Sequence, residues 1–140
     1  MTSADREALR QQLIVHEGLR LMPYLDTVGK WTIGCGRNLS DRGISNAEAR
    51  YLLDNDITIA INARTVCPWF PDLGPGRQRA CVDLVFNLGL PRFRTFKNML
   101  AAIDRKDWPS AAAELLSSRY ATQVGARART VARMLETGEA

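Results

Sequence analysis

Apolar and polar positions alternate at helical spacing along most of this chain, and one stretch near the N-terminus breaks the rhythm. Leu9 and Leu13 stand four residues apart, so they stack on one helix face, and the next position on that stripe is Glu17. Ser3 can cap this helix, with Asp5 and Glu7 in its first turn to complement the dipole. Gly18 follows Glu17 at once as a stop signal. The spacing therefore predicts a helix whose last turn carries Glu17, turned toward the core side. After Pro23 the period shortens: Tyr24-Leu25-Asp26 and Trp31-Thr32-Ile33 read as short strands around Thr27-Val28-Gly29-Lys30. A hairpin centred on Gly29 sets Leu25 opposite Ile33 on one face and Asp26 opposite Thr32 on the other.

Helical spacing resumes after a polar connector over residues 38–43. Ser45 and Glu48 form a capping box, and a long helix is expected through Leu52, Leu53, Ile57 and Ile61 toward Val66, ending before Pro68. Trp69-Phe70-Pro71 reads as a loop plug, because its prolines forbid a helix interior. Over residues 76–88 a core face of Cys81, Leu84, Val85 and Leu88 is predicted, with Phe86 and Asn87 off that stripe. A short helix over 96–103, a helix over 108–117 capped by Asp107, and a final helix over 121–135 interrupted near Gly125 complete the pattern. Arg127, Arg129 and Arg133 are spaced toward solvent. The fold class expected is α+β and predominantly helical. One domain is expected over residues 1–140: a small β-containing lobe over about 15–50, a connecting helix over about 45–66, and a helical lobe over about 67–140 that also takes the N-terminal helix.

Composition narrows the class of protein more than its partners. With 46 % hydrophobic and 24 % charged residues in 140, the chain can bury a core and is neither disordered nor fibrous. No apolar run reaches the ~18–20 residues that cross a bilayer, and the first ten residues are polar, so synthesis in a cytoplasm is expected. The net charge of +4 gives mild attraction to anionic surfaces; because the cations are dispersed, it selects no partner. Cys35, Cys67 and Cys81 contain no CxxC pair and His16 is the only imidazole, so no metal site and no cofactor are implied, and the thiols are expected to be buried and reduced.

The candidate chemistry lies in residues 15–37. Helix-end placement and partial burial both disfavour the ionised form of Glu17, and a carboxyl that keeps its proton is what a general acid requires. The alternative is a surface glutamate at a frayed helix end. Asp26 beside Thr32 can hold a water, the carboxylate taking its proton and the hydroxyl fixing its orientation. The alternative is an aspartate turn that satisfies its own backbone. Gly34-Cys35-Gly36 permits a bend or a close approach but lacks any phosphate-loop pattern.

These residues carry a family likeness. Glu17-Gly18, Tyr24-x-Asp26, Gly29 and Thr32-Ile33-Gly34-x-Gly36 resemble, in order and spacing, the opening of the phage T4-type lysozymes, the family 24 glycoside hydrolases. Val85-Phe86-Asn87-Leu88-Gly89, Lys106-Asp107-Trp108, Ser118-Arg119-Tyr120 and the arginines that follow extend the likeness over nearly the whole chain. The resemblance implies an endolysin muramidase cutting the β-1,4 bond between N-acetylmuramic acid and N-acetylglucosamine. It gives Glu17 the general-acid position, with Asp26 and Thr32 positioning water in an inverting reaction, and places Asn38 and Phe86 at the glycan. It also implies a monomer acting on peptidoglycan. Such an enzyme waits in the host cytoplasm and needs a separate holin to reach the wall; it takes no nucleic acid and inserts stably in no membrane. Two departures stand out. Arg37 occupies a position where many members have histidine, so any ion pair there must differ; the 38–43 connector is short, which predicts a reduced small lobe and a more open cleft.

Three rivals remain at this level. A catalytically dead wall-binding protein leaves intact Glu17, Asp26 and Thr32 without purpose, and a basic nucleic-acid binder lacks a recognition motif. A lytic transglycosylase cuts the same bond with one acid and no water, so it has no use for Asp26 paired with Thr32.

Overall fold

A computed structural model describes residues 1–62 and 67–139. Within them lie eight α-helices and one three-stranded antiparallel sheet, the α+β, mainly helical class expected. The chain divides into two compact units, Met1–Tyr51 and Leu52–Ala140.

The first unit opens with α1, Ser3–Glu17. Its cap is Thr2 rather than Ser3: the Thr2 hydroxyl accepts from the Asp5 N–H at 3.1 Å while the Asp5 carboxylate takes the Thr2 N–H at 2.8 Å. The reciprocal box needs an acid three residues on, and Thr2 with Asp5 satisfies that spacing. The expected stripe of Leu9 and Leu13 does not seal a core. With Ile14, Met1 and the exposed thiol of Cys35 it lines an open groove of about 410 Å³, and α1 buries no residue.

Strands β1 (Arg20–Leu25), β2 (Trp31–Gly34) and β3 (Arg37–Asn38) follow in spatial order. The first strand starts before Pro23 rather than after it, and an irregularity between Arg20 and Tyr24 absorbs the proline. The hairpin register differs from the expected one: Leu25 pairs with Trp31 and Tyr24 with Thr32, so Asp26 does not oppose Thr32. The cause is the turn. The Gly29 N–H returns to the Asp26 carbonyl at 3.1 Å and the Asp26 N–H donates to the Lys30 carbonyl at 2.9 Å. Gly29, at φ 79°, therefore occupies the left-handed position after a tight turn and is not the hairpin tip.

Helix α2, Asn46–Asn62, starts at the predicted capping box: Ser45 N–H to Glu48 at 2.7 Å, and Glu48 N–H to the Ser45 hydroxyl at 3.2 Å. The expected extension of this helix toward Val66 lies outside the described residues. The second unit holds the apolar core. Trp69 and Phe70 pack against it from a 3₁₀ turn at Phe70–Asp72. Helices α3 (Pro75–Leu88), α4 (Leu90–Phe93), α5 (Lys97–Asp104), α6 (Trp108–Leu116), α7 (Arg119–Val124) and α8 (Ala126–Thr137) surround Leu84, Met99, Ile103, Leu115, Val131 and Leu135. Alanines 111, 112, 128 and 132 are buried where α6 meets α8, and their small side chains let the helices approach closely. Asp107 caps α6 through the Ser110 N–H at 3.2 Å. The predicted interruption near Gly125 is a full break between α7 and α8, taken at φ 52°. Arg127 does not simply face solvent: its Nε donates to Asp83 on α3 at 2.9 Å. Among the described residues, no helix is long and apolar enough to cross a membrane.

Candidate active site

Glu17 is the last residue of α1. Gly18 ends the helix by turning to φ 74°, with its N–H bonded to the Ile14 carbonyl at 3.0 Å. That turn leaves the Glu17 carboxylate over the glycine bend after β2: its Oε2 lies 3.5 Å from where a side chain on Gly36 would begin. Gly36 itself sits at φ 70°, a conformation that side chains resist, so the bend and the clearance for Glu17 come from one residue. Glu17 is exposed rather than turned onto a core face.

Asp26 closes the β1–β2 turn. Its Oδ1 accepts from the Val28 N–H at 2.9 Å and from the Lys30 N–H at 2.8 Å. Among the described residues its Oδ2 has no partner. The turn-satisfying alternative is thus what the backbone does with Asp26, yet it occupies only one of the two oxygens. Thr32 is the one buried polar residue among those described, at 4 % exposure, and its hydroxyl donates to the Lys30 carbonyl at 3.1 Å. With that proton committed, the oxygen is left as an acceptor. Asp26 and Thr32 are therefore brought together through the main chain of Lys30, whose N–H holds one and whose C=O holds the other, rather than as a cross-strand pair.

Asn38 pairs with Thr32 across β2–β3, so Tyr24, Thr32 and Asn38 lie in one row on the sheet. Its amide is engaged with the next turn: Oδ1 accepts from the Asp41 N–H at 2.9 Å and Nδ2 donates to the Asp41 carboxylate at 3.0 Å. At the end of the same row, the Arg20 guanidinium rests 4.3 Å from the centroid of the Tyr24 ring. Arg37 forks onto Glu48, at 3.0 Å and 2.5 Å, and reaches the Gly43 carbonyl at 3.3 Å. It thereby ties β3 and the short connector to the start of α2. Glu48 is held down at about 2, first by the Arg37 fork and then by the Ser45 N–H and hydroxyl.

Phe86 belongs to the second unit. On α3 it is 44 % exposed and borders two grooves, of about 560 Å³ beside Leu53, Ile57 and Val82 and about 520 Å³ beside Ile59 and Val85. The expectation of buried thiols holds for Cys67 and Cys81, where burial pushes Cys81 up to about 12, but Cys35 is exposed on the glycine bend.

Sequence reasoning passed over Lys30 and Asp41. The signal was present in Asp26-x-x-Gly29: an aspartate three residues before a left-handed glycine places the residue after the glycine, Lys30, directly opposite the aspartate.

The phage lysozyme family model matches residues 15–134. A probable T4-type lysozyme of Dictyostelium discoideum is 29 % identical over an alignment of 161 positions, covering 94 % of this chain and 95 % of the relative. An endolysin of Acyrthosiphon pisum secondary endosymbiont phage 1 is 32 % identical over 119 positions, covering 80 % of this chain and 77 % of the relative. A SAR-endolysin of Enterobacteria phage PA-2 is 31 % identical over 110 positions, or 75 % and 65 % of the two chains.

Proposed function

Because the chain belongs to the phage lysozyme family, and so to the lysozyme-type glycoside hydrolases, we propose that it is an endolysin muramidase in which Glu17, Asp26 and Thr32 carry the reaction. Its substrate is peptidoglycan, cut at the β-1,4 bond between N-acetylmuramic acid and N-acetylglucosamine. Glu17, at the helix end, gives its proton to the glycosidic oxygen as the C1–O bond breaks. A water donates one hydrogen to the open Oδ2 of Asp26 and the other to the Thr32 oxygen, which leaves a lone pair free to attack C1. As the new C–O bond forms, Asp26 takes the water's proton. Attack by a water held in this way inverts the anomeric centre. Asn38 and Phe86 are each read as glycan-contacting residues. The enzyme is made in the host cytoplasm as a monomer and reaches the wall once a holin has opened the membrane.

The observation that carries this reading is the shared hold of Lys30 on Asp26 and Thr32, which leaves one carboxylate oxygen and one hydroxyl oxygen as free acceptors. Mass spectrometry of purified peptidoglycan digested by wild type, Glu17→Gln and Asp26→Asn tests it. Wild type should release reducing muramic ends, and each variant should lose roughly 10²–10⁴-fold in rate, the range for a lost general acid or base. Products ending in 1,6-anhydro sugars would indicate a transglycosylase instead, and full activity in Glu17→Gln would sink the mechanism.

A further inference from the structure

The two water-binding groups hang on one residue's backbone, so what fixes Lys30 fixes them. Its N–H and C=O are both occupied by Asp26, and its C=O also takes the Thr32 hydroxyl. Its side chain reaches the turn after β3, where its Nζ donates to Asp41 Oδ1 at 2.9 Å. Asp41 is itself closed onto Asn38 by two hydrogen bonds, and Asn38 is the ladder partner of Thr32. The same turn grips the neighbouring residue: the Ser40 hydroxyl accepts from the Trp31 N–H at 2.9 Å, and the Leu39 N–H donates to the Trp31 carbonyl at 2.7 Å. Thr32, Asn38, Asp41 and Lys30 thus form a closed ring of contacts to which Asp26 is joined through Lys30.

We propose that Lys30 and Asp41 form a positioning clip, which sets the spacing of Asp26 and Thr32 around the attacking water while touching neither water nor glycan. The proposal rests on the reading of Asp26 and Thr32 as the water-binding pair. An exposed ion pair contributes little to global stability, and both side chains here are about half exposed. Its effect on catalysis can be larger, because an error of about 1 Å in a reacting group can cost about 10²-fold. The charge on Lys30 is spent mainly on Asp41. That hydrogen bond and the Asp41 charge raise the ammonium above its ordinary value, and Asp26 adds the least. A clip therefore fits the geometry better than a cation acting directly on Asp26.

Steady-state hydrolysis of soluble glycan strands by Lys30→Met, Asp41→Asn, the double variant and Lys30→Arg separates these roles. Each single variant should lose about 5–20-fold in kcat, with KM and the melting temperature nearly unchanged. The double variant should be no worse than either single, and Lys30→Arg should recover most of the rate. A loss in Lys30→Met with none in Asp41→Asn would overturn the clip in favour of direct charge, and unchanged kcat in both would overturn it outright. Amide exchange at Val28 and Lys30, the two N–H groups held by the Asp26 carboxylate, gives a readout independent of turnover. Both variants should speed it several-fold, and unchanged exchange overturns the clip. Wild type that releases no reducing muramic ends, with exchange still accelerated in the variants, would count against the muramidase reading alone.

Discussion

At the scale of single residues, Glu48 does two jobs with one carboxylate. It completes the capping box with Ser45 and receives the fork of Arg37, and these bonds hold it at about 2 against an ordinary 4.5. A carboxylate with a lowered folded-state value contributes stability above its unfolded value, and that contribution is lost as pH falls toward the folded one. The contribution of this exposed box is therefore fully present above about pH 4.5 and disappears toward about pH 2. Thermal melts of wild type and Glu48→Gln should differ at pH 6 and converge by about pH 2; a gap that widens in acid would contradict the assignment. The same fork defines what Arg37 does locally: its guanidinium holds β3 to the start of α2, and among the described residues none of its hydrogen bonds goes to Glu17, Asp26 or Thr32.

At the scale of elements, the junction of α3 with the end of α8 depends on a missing side chain. A Cβ on Gly76 would stand 1.9 Å from the Gly138 carbonyl oxygen, which is backbone and cannot rotate away. Next to it, Arg77 stacks 3.9 Å from the Trp108 ring centroid and donates to the Leu135 and Glu136 carbonyls at 2.8 Å and 2.9 Å. Gly76→Ala should therefore cost about 1–3 kcal/mol, the usual range for overpacking, read as a lower urea midpoint with an unchanged slope. Wild-type stability in this variant would mean the α8 end moves freely. This contact was not legible in the sequence, because it depends on two glycines 62 positions apart (138 − 76) meeting in space. Features set by neighbours within a few residues were legible: the Ser45–Glu48 box, the Asp107 cap, the break at Gly125 and the placement of Glu17 at a helix end. The hairpin register was off because Gly29 was read as the tip when it closes the turn. Strand β3 was missed because two residues carry no alternation, and the Asp83–Arg127 pair because charge spacing on one helix says nothing of its neighbour.

At the scale of the whole molecule, burial is unevenly shared. Among the described residues, every buried apolar side chain lies at Ala60 or beyond, whereas the first unit buries Thr32 and otherwise depends on ladder bonds, caps and exposed ion pairs. A well-buried leucine is worth about 1.5–3 kcal/mol and an exposed ion pair about 0–1, so the second unit should resist opening far better. Native-state amide exchange should show this as two levels. Lys30, Trp31 and Leu39, whose N–H groups hold the sheet and its turns together, should open at least about 2 kcal/mol below Leu84, Leu115 and Val131, which open only with global unfolding. A single common opening energy would contradict it. The consequence reaches the proposed function, because the weaker level carries Asp26 and Thr32, the proposed water-binding pair. Rising urea should abolish glycan hydrolysis before the helical circular dichroism signal falls, and Asp41→Asn, by releasing the clip, should widen that gap without moving the helical transition.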